Sequence, residues 1–265
     1  MNKGYNKGDI YEDLVHSILL EKSFTTLARA GAGGGSDIIV DSKPNRIINI
    51  EVKSAGADYG QKYLRYDKGW KWSSPDGVTD LYDKMGVMDE IDPAFIPKNT
   101  NHQNLPKREW SQKRQRLITQ AEKDFDQSNF EKGGIELSLD PFFEFYESRD
   151  CYYIQIKGSG FYHLAEDKFN LGTQKYDGII QLRFRAKSIH PHAYFINKKK
   201  IKSKRIFEEI RSNEAKEGNL FESNYEIKDR PWDYGFLAVM KQKKPPTPSL
   251  YCIEESLGRN FPNFD

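Results

Sequence analysis

The amino-acid sequence predicts an α+β fold, in which a mixed β-sheet is flanked by helices and a β-rich part follows toward the C-terminus. Three observations favour this class. An amphipathic helix pattern opens the chain, two apolar runs separated by turn-forming residues follow it, and further strand patterns return after residue 150. A helix followed by strands that pair with each other is typical of α+β domains.

The first elements follow from hydrophobic spacing. A helix is predicted over residues 8–22, with Asp9 as N-cap and with apolar residues recurring on one helical face. A glycine run at residues 31–35 then gives a turn, and short apolar strands are predicted at 37–40 and 47–53. The segment between these strands is rich in turn formers, so the two strands are expected to form a hairpin. The apolar face of the helix consists of Ile10, Leu14, Val15, Ile18 and Leu19.

Periodicity weakens after residue 67, and the segment 67–130 is interpreted as an elaboration on the core. It contains a possible helix near residues 78–90 and a helical pattern over 109–127. The aromatic run Phe142–Tyr146 is assigned to the core. Later strands are predicted at 151–157, 179–186 and 235–240, with one helix around 204–216.

Composition limits the classes of function. The 41 Lys+Arg against 39 Asp+Glu give a formal net charge of +2, so overall charge does not name a partner. The 16 Phe, 15 Tyr and 4 Trp supply enough apolar surface for a core, while two cysteines exclude a disulfide framework. No apolar run approaches the roughly 18 residues of a spanning helix. We therefore expect a cytoplasmic protein without a membrane partner.

The candidate catalytic and metal-binding residues are Asp37 and the run Glu51-Val52-Lys53. Side chains alternate along a strand, so Glu51 and Lys53 project from the same side, and a hairpin would bring Asp37 beside Glu51. Two neighbouring carboxylates repel unless a cation lies between them, and hard oxygen ligands suit Mg²⁺. An ammonium on the same face could orient a water or stabilise charge on phosphorus. The pattern is compatible with phosphodiester hydrolysis, although a solvated strand edge also produces it by chance.

At these residues the sequence resembles the PD-(D/E)XK nuclease superfamily, which includes many restriction endonucleases and the archaeal Holliday-junction resolvases. The resemblance covers about residues 8–62. Ser36 stands where the family name has proline, and Tyr66 follows Gln61 at a spacing that does not meet the RecB-type glutamine–tyrosine motif. The matching features are Gly8 and Glu12 at the helix start, the basic glycine-rich segment 29–36, Asp37, Glu51-Val52-Lys53, and the polar segment 58–61, where a next helix is expected to open.

This resemblance implies a restriction-endonuclease-like sheet and a set of roles. Asp37, Glu51 and the Val52 carbonyl would bind Mg²⁺, with Mn²⁺ as a substitute, and Lys53 would be the catalytic lysine. Glu12 would be an accessory acid. Residues 1–265 would form one nuclease domain, comprising the start of the catalytic core (1–66), the elaboration (67–130) and a β-rich part (131–265) that holds the DNA-recognition elements.

Two later strands carry polar faces that suit DNA, since glutamine and arginine can hydrogen-bond base edges. A basic run at residues 197–205 suits phosphates, because lysine clusters position a backbone without reading its sequence. An ordinary amphipathic sheet and a solvated basic loop remain the alternatives. The candidate DNA-binding residues are Gln61, Gln155, Lys157, Gln181, Arg183, Arg185, Lys198, Lys199 and Lys200.

The sequence thus predicts a Mg²⁺-dependent endonuclease that cuts double-stranded DNA at a specific sequence, as type II restriction enzymes do. A homodimer is expected, because cutting both strands of a palindrome favours two-fold symmetry. A Holliday-junction resolvase or repair nuclease is the alternative within the superfamily. A non-catalytic DNA-binding protein on a nuclease fold, and an enzyme acting on RNA or a small phosphoester, are alternatives from other classes.

Overall fold

The computed structural model describes most of the chain, and its segments form two compact units. Unit 1 comprises residues 1–59, 134–181 and 240–265, and unit 2 comprises residues 60–133 and 182–239. The described residues are 7–27, 36–43, 46–98, 120–189, 193–196, 199–200, 225–228 and 233–264. The assignment of the whole chain to one nuclease domain stays a prediction.

The described segments contain helices and strands in mixed order. The helices are α1 (Lys7–Glu21), α2 (Gly77–Lys84), α3 (Gln120–Phe130) and α4 (Asp140–Glu147). The strands are β1 (Thr25–Leu27), β2 (Ile38–Lys43), β3 (Arg46–Lys53), β4 (Asp58–Tyr66), β5 (Trp70–Trp72), β6 (Gly133–Glu136), β7 (Cys151–Ile156), β8 (Gly160–His163), β9 (Ile179–Ile189), β10 (Ala193–Ile196), β11 (Lys199–Lys200), β12 (Tyr225–Lys228) and β13 (Asp233–Lys244).

Unit 1 is built on a five-stranded sheet with the order β1-β2-β3-β7-β8. Neighbouring strands pair antiparallel except β3 and β7, which pair parallel with Glu51 opposite Ile154. The sheet is therefore mixed, and it has helices α1 and α4 packed on its central strands. This confirms the predicted α+β class with a mixed sheet flanked by helices. A restriction-endonuclease-like arrangement of that sheet stays a prediction.

The central strands are hydrophobic enough to be covered. Ile48, Ile50 and Val52 alternate along β3 and are buried against Tyr11, Val15 and Leu19, which recur at every fourth position of α1. Residues four apart lie on one face of a helix, so α1 presents a continuous apolar stripe to the sheet. The same core extends to Tyr153 and Phe161 of β7 and β8.

A second sheet, with the order β5-β4-β13-β9-β6, lies largely in unit 2. The core of unit 2 is aromatic. Trp70 stacks on Phe130 with ring centroids 5.0 Å apart, and Phe236 meets both rings edge-on at 5.0 and 4.7 Å. A small sheet with the order β11-β10-β12 completes the described strands of the predicted β-rich part.

Most predicted elements are confirmed, including the first helix, the hairpin strands and the later strands that became β7, β9 and β13. The possible helix near 78–90 is α2 followed by a 3-10 turn at Val87–Glu90, and the pattern over 109–127 is described only from Gln120, where α3 begins. The helix predicted around 204–216 lies outside the described residues. No helix in the described segments is long and apolar enough to cross a membrane.

The helix expected to open at residues 58–61 is wrong, because these residues begin strand β4. Tyr59 and Leu64 are buried, while Gln61 and Tyr63 are exposed. Tyrosines fit the half-buried surface of a sheet, and Gly60 disfavours a helix. The polar residues at 58–61, after the end of β3, therefore do not indicate a helix in this chain.

A buried polar network joins three parts of unit 1. The Tyr11 hydroxyl donates to Glu254 Oε1 at 2.6 Å and accepts from Gln155 Nε2 at 2.9 Å. The Gly158 N–H donates to the same Glu254 oxygen at 3.0 Å, and the Ile253 N–H donates to Gln155 Oε1 at 3.1 Å. Helix α1, the end of β7 and the C-terminal segment are thus tied together.

We expect Tyr11→Phe to lower the free energy of unfolding by about 1–2 kcal/mol, because it removes one donor and one acceptor from buried groups. Urea unfolding followed by circular dichroism measures this loss. Tyr63→Phe on the exposed side of β4 is the control and should change stability by less than about 0.5 kcal/mol. Equal free energies of unfolding for the two variants would show that the Tyr11 hydroxyl contributes nothing to stability.

Candidate active site

The hairpin of β2 and β3 brings Asp37 next to Glu51. Ile38 pairs with Ile50, and one residue earlier the Asp37 N–H donates to the Ile50 carbonyl at 3.1 Å. Asp37 therefore lies immediately before β2, opposite the end of β3. The predicted pairing of these two strands is confirmed, and it places both carboxylates and the Lys53 ammonium at one end of the sheet.

Lys53 contacts both carboxylates. Its Nζ forms an ion pair and hydrogen bond with Glu51 Oε1 and lies 3.7 Å from Asp37 Oδ2. Glu51 is only 7% exposed, and the side chains of Lys53 and Asp37 are 17% and 22% exposed. Opposite charges shielded from water in this way interact more strongly than a surface pair. The three residues form one partly buried charge cluster, called here the Asp37–Glu51–Lys53 cluster.

The backbone of Val52 completes the cluster. Its N–H donates to Asp37 Oδ2 at 2.8 Å, which fixes that carboxylate against the strand end. In an extended strand the N–H and C=O of one residue point to the same side, so the Val52 carbonyl faces the Asp37 side of β3. The Lys53 carbonyl faces the other way and accepts the Lys157 N–H at 2.9 Å.

Burial and neighbouring charges shift the pKa values of Glu51 and Lys53. Burial raises the pKa of Glu51 above its ordinary value, although the Lys53 ammonium opposes that shift. For Lys53, burial by itself lowers the pKa, but the negative charges of Glu51, Asp37 and Glu12 outweigh it and raise the pKa overall. Lys53 is therefore held as an ammonium, and the cluster carries a partly compensated negative charge.

Glu12 lies in the second turn of α1, close enough for its charge to act on Lys53. No group of three or more His, Cys, Asp or Glu side chains in the described segments is close enough to hold a metal ion. Glu12 is therefore not grouped with Asp37 and Glu51 as a third carboxylate ligand. Its predicted role as an accessory acid stays a prediction.

The oxygen atoms at the cluster fit a hard divalent cation. Lys53 Nζ donates to Glu51 Oε1, and the Val52 N–H donates to Asp37 Oδ2. The second oxygen of each carboxylate, Glu51 Oε2 and Asp37 Oδ1, accepts no hydrogen bond from the described residues. Mg²⁺ typically uses one or two carboxylates, with waters and phosphate oxygens filling the other positions. Two carboxylates with a neighbouring carbonyl therefore suffice, and the residues present fit the ion that the sequence predicts.

One predicted DNA contact is wrong. Gln155 has no exposed surface, and all six residues of β7 are buried, so the strand has no polar face toward solvent. Its side chain bonds Tyr11 and the Ile253 N–H inside unit 1. The alternation of polar and apolar residues that suggested a DNA-reading face instead serves an internal network. Lys157 follows β7, is exposed, and places its ammonium 5.4 Å from the centre of the Tyr11 ring.

Strand β9 does show the predicted two faces. Ile180, Leu182 and Phe184 are buried, whereas the intervening polar residues Gln181, Arg183 and Arg185 are partly or fully exposed. Gln61 is exposed on β4. Lys198 lies outside the described residues, and Lys199 and Lys200 form strand β11. Contact of all these residues with DNA stays a prediction.

Removal of the Lys53 ammonium should destabilise the protein when no metal is present. Lys53→Met keeps the apolar stem but leaves Glu51 buried beside Asp37 without its ion-pair partner, which should cost about 3 kcal/mol of unfolding free energy. Urea unfolding in EDTA measures this. The control is Lys168→Met, which removes an exposed ion pair with Asp150 of 2.8 Å and should cost less than about 1 kcal/mol. Equal losses would mean that the cluster is solvated.

Comparison with known proteins gives a distant likeness to a solved structure. No family model matches the sequence, and no curated protein matches it. Among solved structures, the HhaI endonuclease in complex with DNA is similar over 92% of this chain and 93% of that chain, with 13% sequence identity and a TM-score of 0.38.

Proposed function

We propose that the protein is a Mg²⁺-dependent DNA endonuclease of the PD-(D/E)XK superfamily, and that it cuts double-stranded DNA at a specific sequence as type II restriction enzymes do. One observation carries this proposal: Asp37, Glu51 and Lys53 converge in a partly buried cluster, with Lys53 Nζ bound to one carboxylate and 3.7 Å from the other. Burial of like charges costs free energy, so a protein gains from such a cluster chiefly when it binds a cation.

The residues of the cluster have distinct roles in this proposal. Asp37, Glu51 and the Val52 carbonyl would hold Mg²⁺, or Mn²⁺ as a substitute. The bound ion would supply a Lewis acid for the scissile phosphate and would lower the pKa of a bound water. Lys53 Nζ lies against the Glu51 carboxylate and 3.7 Å from Asp37 Oδ2, so it would act by donating hydrogen bonds to the attacking water or to a phosphate oxygen.

DNA is the proposed substrate because polar and basic residues are available beyond the cluster. Lys157 is exposed and its backbone bonds Lys53, which places an ammonium-bearing residue next to the site. Arg183 and Arg185 line one side of β9, whose other side is buried. More than half of the chain follows Lys53, which leaves room for sequence-reading elements. A homodimer would supply the two active sites that a palindromic target needs.

Digestion of plasmid and phage DNA tests the proposal. With Mg²⁺ we expect discrete fragments, and with EDTA we expect none. Lys53→Ala should reduce the cleavage rate by about 100-fold or more, because it removes a group that stabilises developing charge. Lys168→Ala, which changes an exposed lysine of unit 1, should cut as the wild type does.

The alternatives give different outcomes in the same experiment. Cleavage confined to a four-way junction would replace sequence specificity with junction resolution. DNA binding with no metal-dependent cleavage of any DNA substrate would contradict the catalytic proposal. Cleavage that Lys53→Ala leaves unchanged, in a variant whose circular dichroism is native, would remove Lys53 from the mechanism.

Asp37→Asn should weaken Mg²⁺ binding by about tenfold or more, because an amide oxygen replaces one of two charged ligands. Isothermal titration calorimetry without DNA measures the affinity directly. Asp41→Asn is the matched control, since Asp41 lies within β2, four residues after Asp37 and outside the cluster. Equal Mg²⁺ affinity of Asp37→Asn and the wild type would remove Asp37 from the ligand set.

A further inference from the structure

Glu51 has a second buried partner that its local sequence does not indicate. The hydroxyl of Tyr146, on α4, donates to Glu51 Oε1 at 3.0 Å across 95 residues of sequence separation. Tyr146 is 5% exposed and Glu51 is 7% exposed, so bulk water has little access to this bond. The aromatic run that contains Tyr146 is assigned to the core by its composition, and the hydroxyl gives it a polar role in addition.

The Tyr146 ring is held in place by its neighbours. Phe142, one turn earlier on α4, meets it edge-on with ring centroids 4.8 Å apart, and Phe145 does so at 5.3 Å. Helix α4 leads through a tight turn at Asp150 into β7, which is hydrogen-bonded in parallel to β3. The hydroxyl therefore reaches Glu51 from a rigid support, and the bond restricts how the carboxylate rotates.

The bond makes the two carboxylate oxygens of Glu51 different in their hydrogen bonding. Oε1 receives both the Tyr146 hydroxyl and the Lys53 ammonium, while Oε2 receives no hydrogen bond from any described residue. An uncharged donor on Oε1 fixes the carboxylate without neutralising it, which differs from the effect of Lys53. In known metal sites, hydrogen bonds to the ligating carboxylates set ligand orientation and affinity.

We propose that Tyr146 is a positioning residue, which holds the Glu51 carboxylate so that its second oxygen is available to a divalent cation. This rests on the proposed function, because it assumes that Glu51 is a metal ligand. It goes further by assigning part of the cation affinity to a hydroxyl on a separate helix. Tyr146 acts through Glu51 and is not itself a ligand.

The test compares cation affinity in three proteins without DNA. Mg²⁺ and Mn²⁺ are titrated by calorimetry into the wild type, Tyr146→Phe and Tyr153→Phe. Tyr153 is the matched control because it is also buried in unit 1 and donates to a carboxylate, Asp167 Oδ1, at 2.7 Å. We expect Tyr146→Phe to weaken binding about 10- to 100-fold, and Tyr153→Phe to bind as the wild type does.

The Mg²⁺ dependence of cleavage is a second measurement, and it would not change if Tyr146 had a purely structural role. In Tyr146→Phe the Mg²⁺ concentration for half-maximal cleavage should rise by the same factor, and excess Mg²⁺ should restore much of the rate. Native circular dichroism with unchanged cation affinity in Tyr146→Phe would overturn the proposal, even if its melting temperature fell. Absence of cation binding by the wild type itself would contradict the proposed function instead, and the positioning role with it.

A fluorine probe keeps the proposal testable if Tyr146→Phe fails to fold. 3-Fluorotyrosine introduced at position 146 retains both the ring and the hydroxyl. Its ¹⁹F resonance should shift during Mg²⁺ titration with the affinity measured by calorimetry, whereas the same probe at position 153 should not respond. A resonance at position 146 that ignores saturating Mg²⁺ would contradict the link between this hydroxyl and the cation site.

Discussion

The register of strand β3 is the constraint on which the rest of the structure depends. Ile48, Ile50 and Val52 bury one face of the strand against α1, and this burial fixes the opposite face, which carries Glu51 and Lys53. A shift of β3 by one residue in its pairing would exchange its two faces and remove these apolar side chains from the core, which would cost stability. The same register lets Val52 donate to Asp37, so the packing that stabilises unit 1 also assembles the charge cluster.

The cluster departs from what packing alone would select. Two carboxylates and one ammonium largely removed from water cost desolvation energy, and apolar side chains of similar size are often equally or more stable in such places. The raised pKa of Glu51, caused by its burial, reflects this cost. Local rules of this kind are broken mostly at functional sites. The energetic penalty therefore supports the proposal that the cluster has a functional role.

Sequence reasoning succeeded where interactions are local. Asp37, Glu51 and Lys53 are linked by a hairpin, so strand alternation and turn composition were enough to predict their proximity. It failed where burial depends on distant segments. Strand β7 has the alternation of an amphipathic strand, but the C-terminal residues Ile253 and Glu254 complete the buried network around Gln155. Tyr146 reaches Glu51 only because β3 and β7 pair in parallel, across a long connection that no local pattern specifies.

Glu254 and Glu51 are buried carboxylates of unit 1 that each accept a tyrosine hydroxyl, and their surroundings differ in kind. Glu254 Oε1 receives the hydroxyl of Tyr11 and the N–H of Gly158, which are neutral donors that tie chain segments together. Glu51 receives a hydroxyl and an ammonium, and that ammonium is shared with a second carboxylate. Neutral donors satisfy a carboxylate that has a structural role. A cation shared between two carboxylates marks a position where positive charge is required, and a divalent ion can meet that requirement more fully than one ammonium.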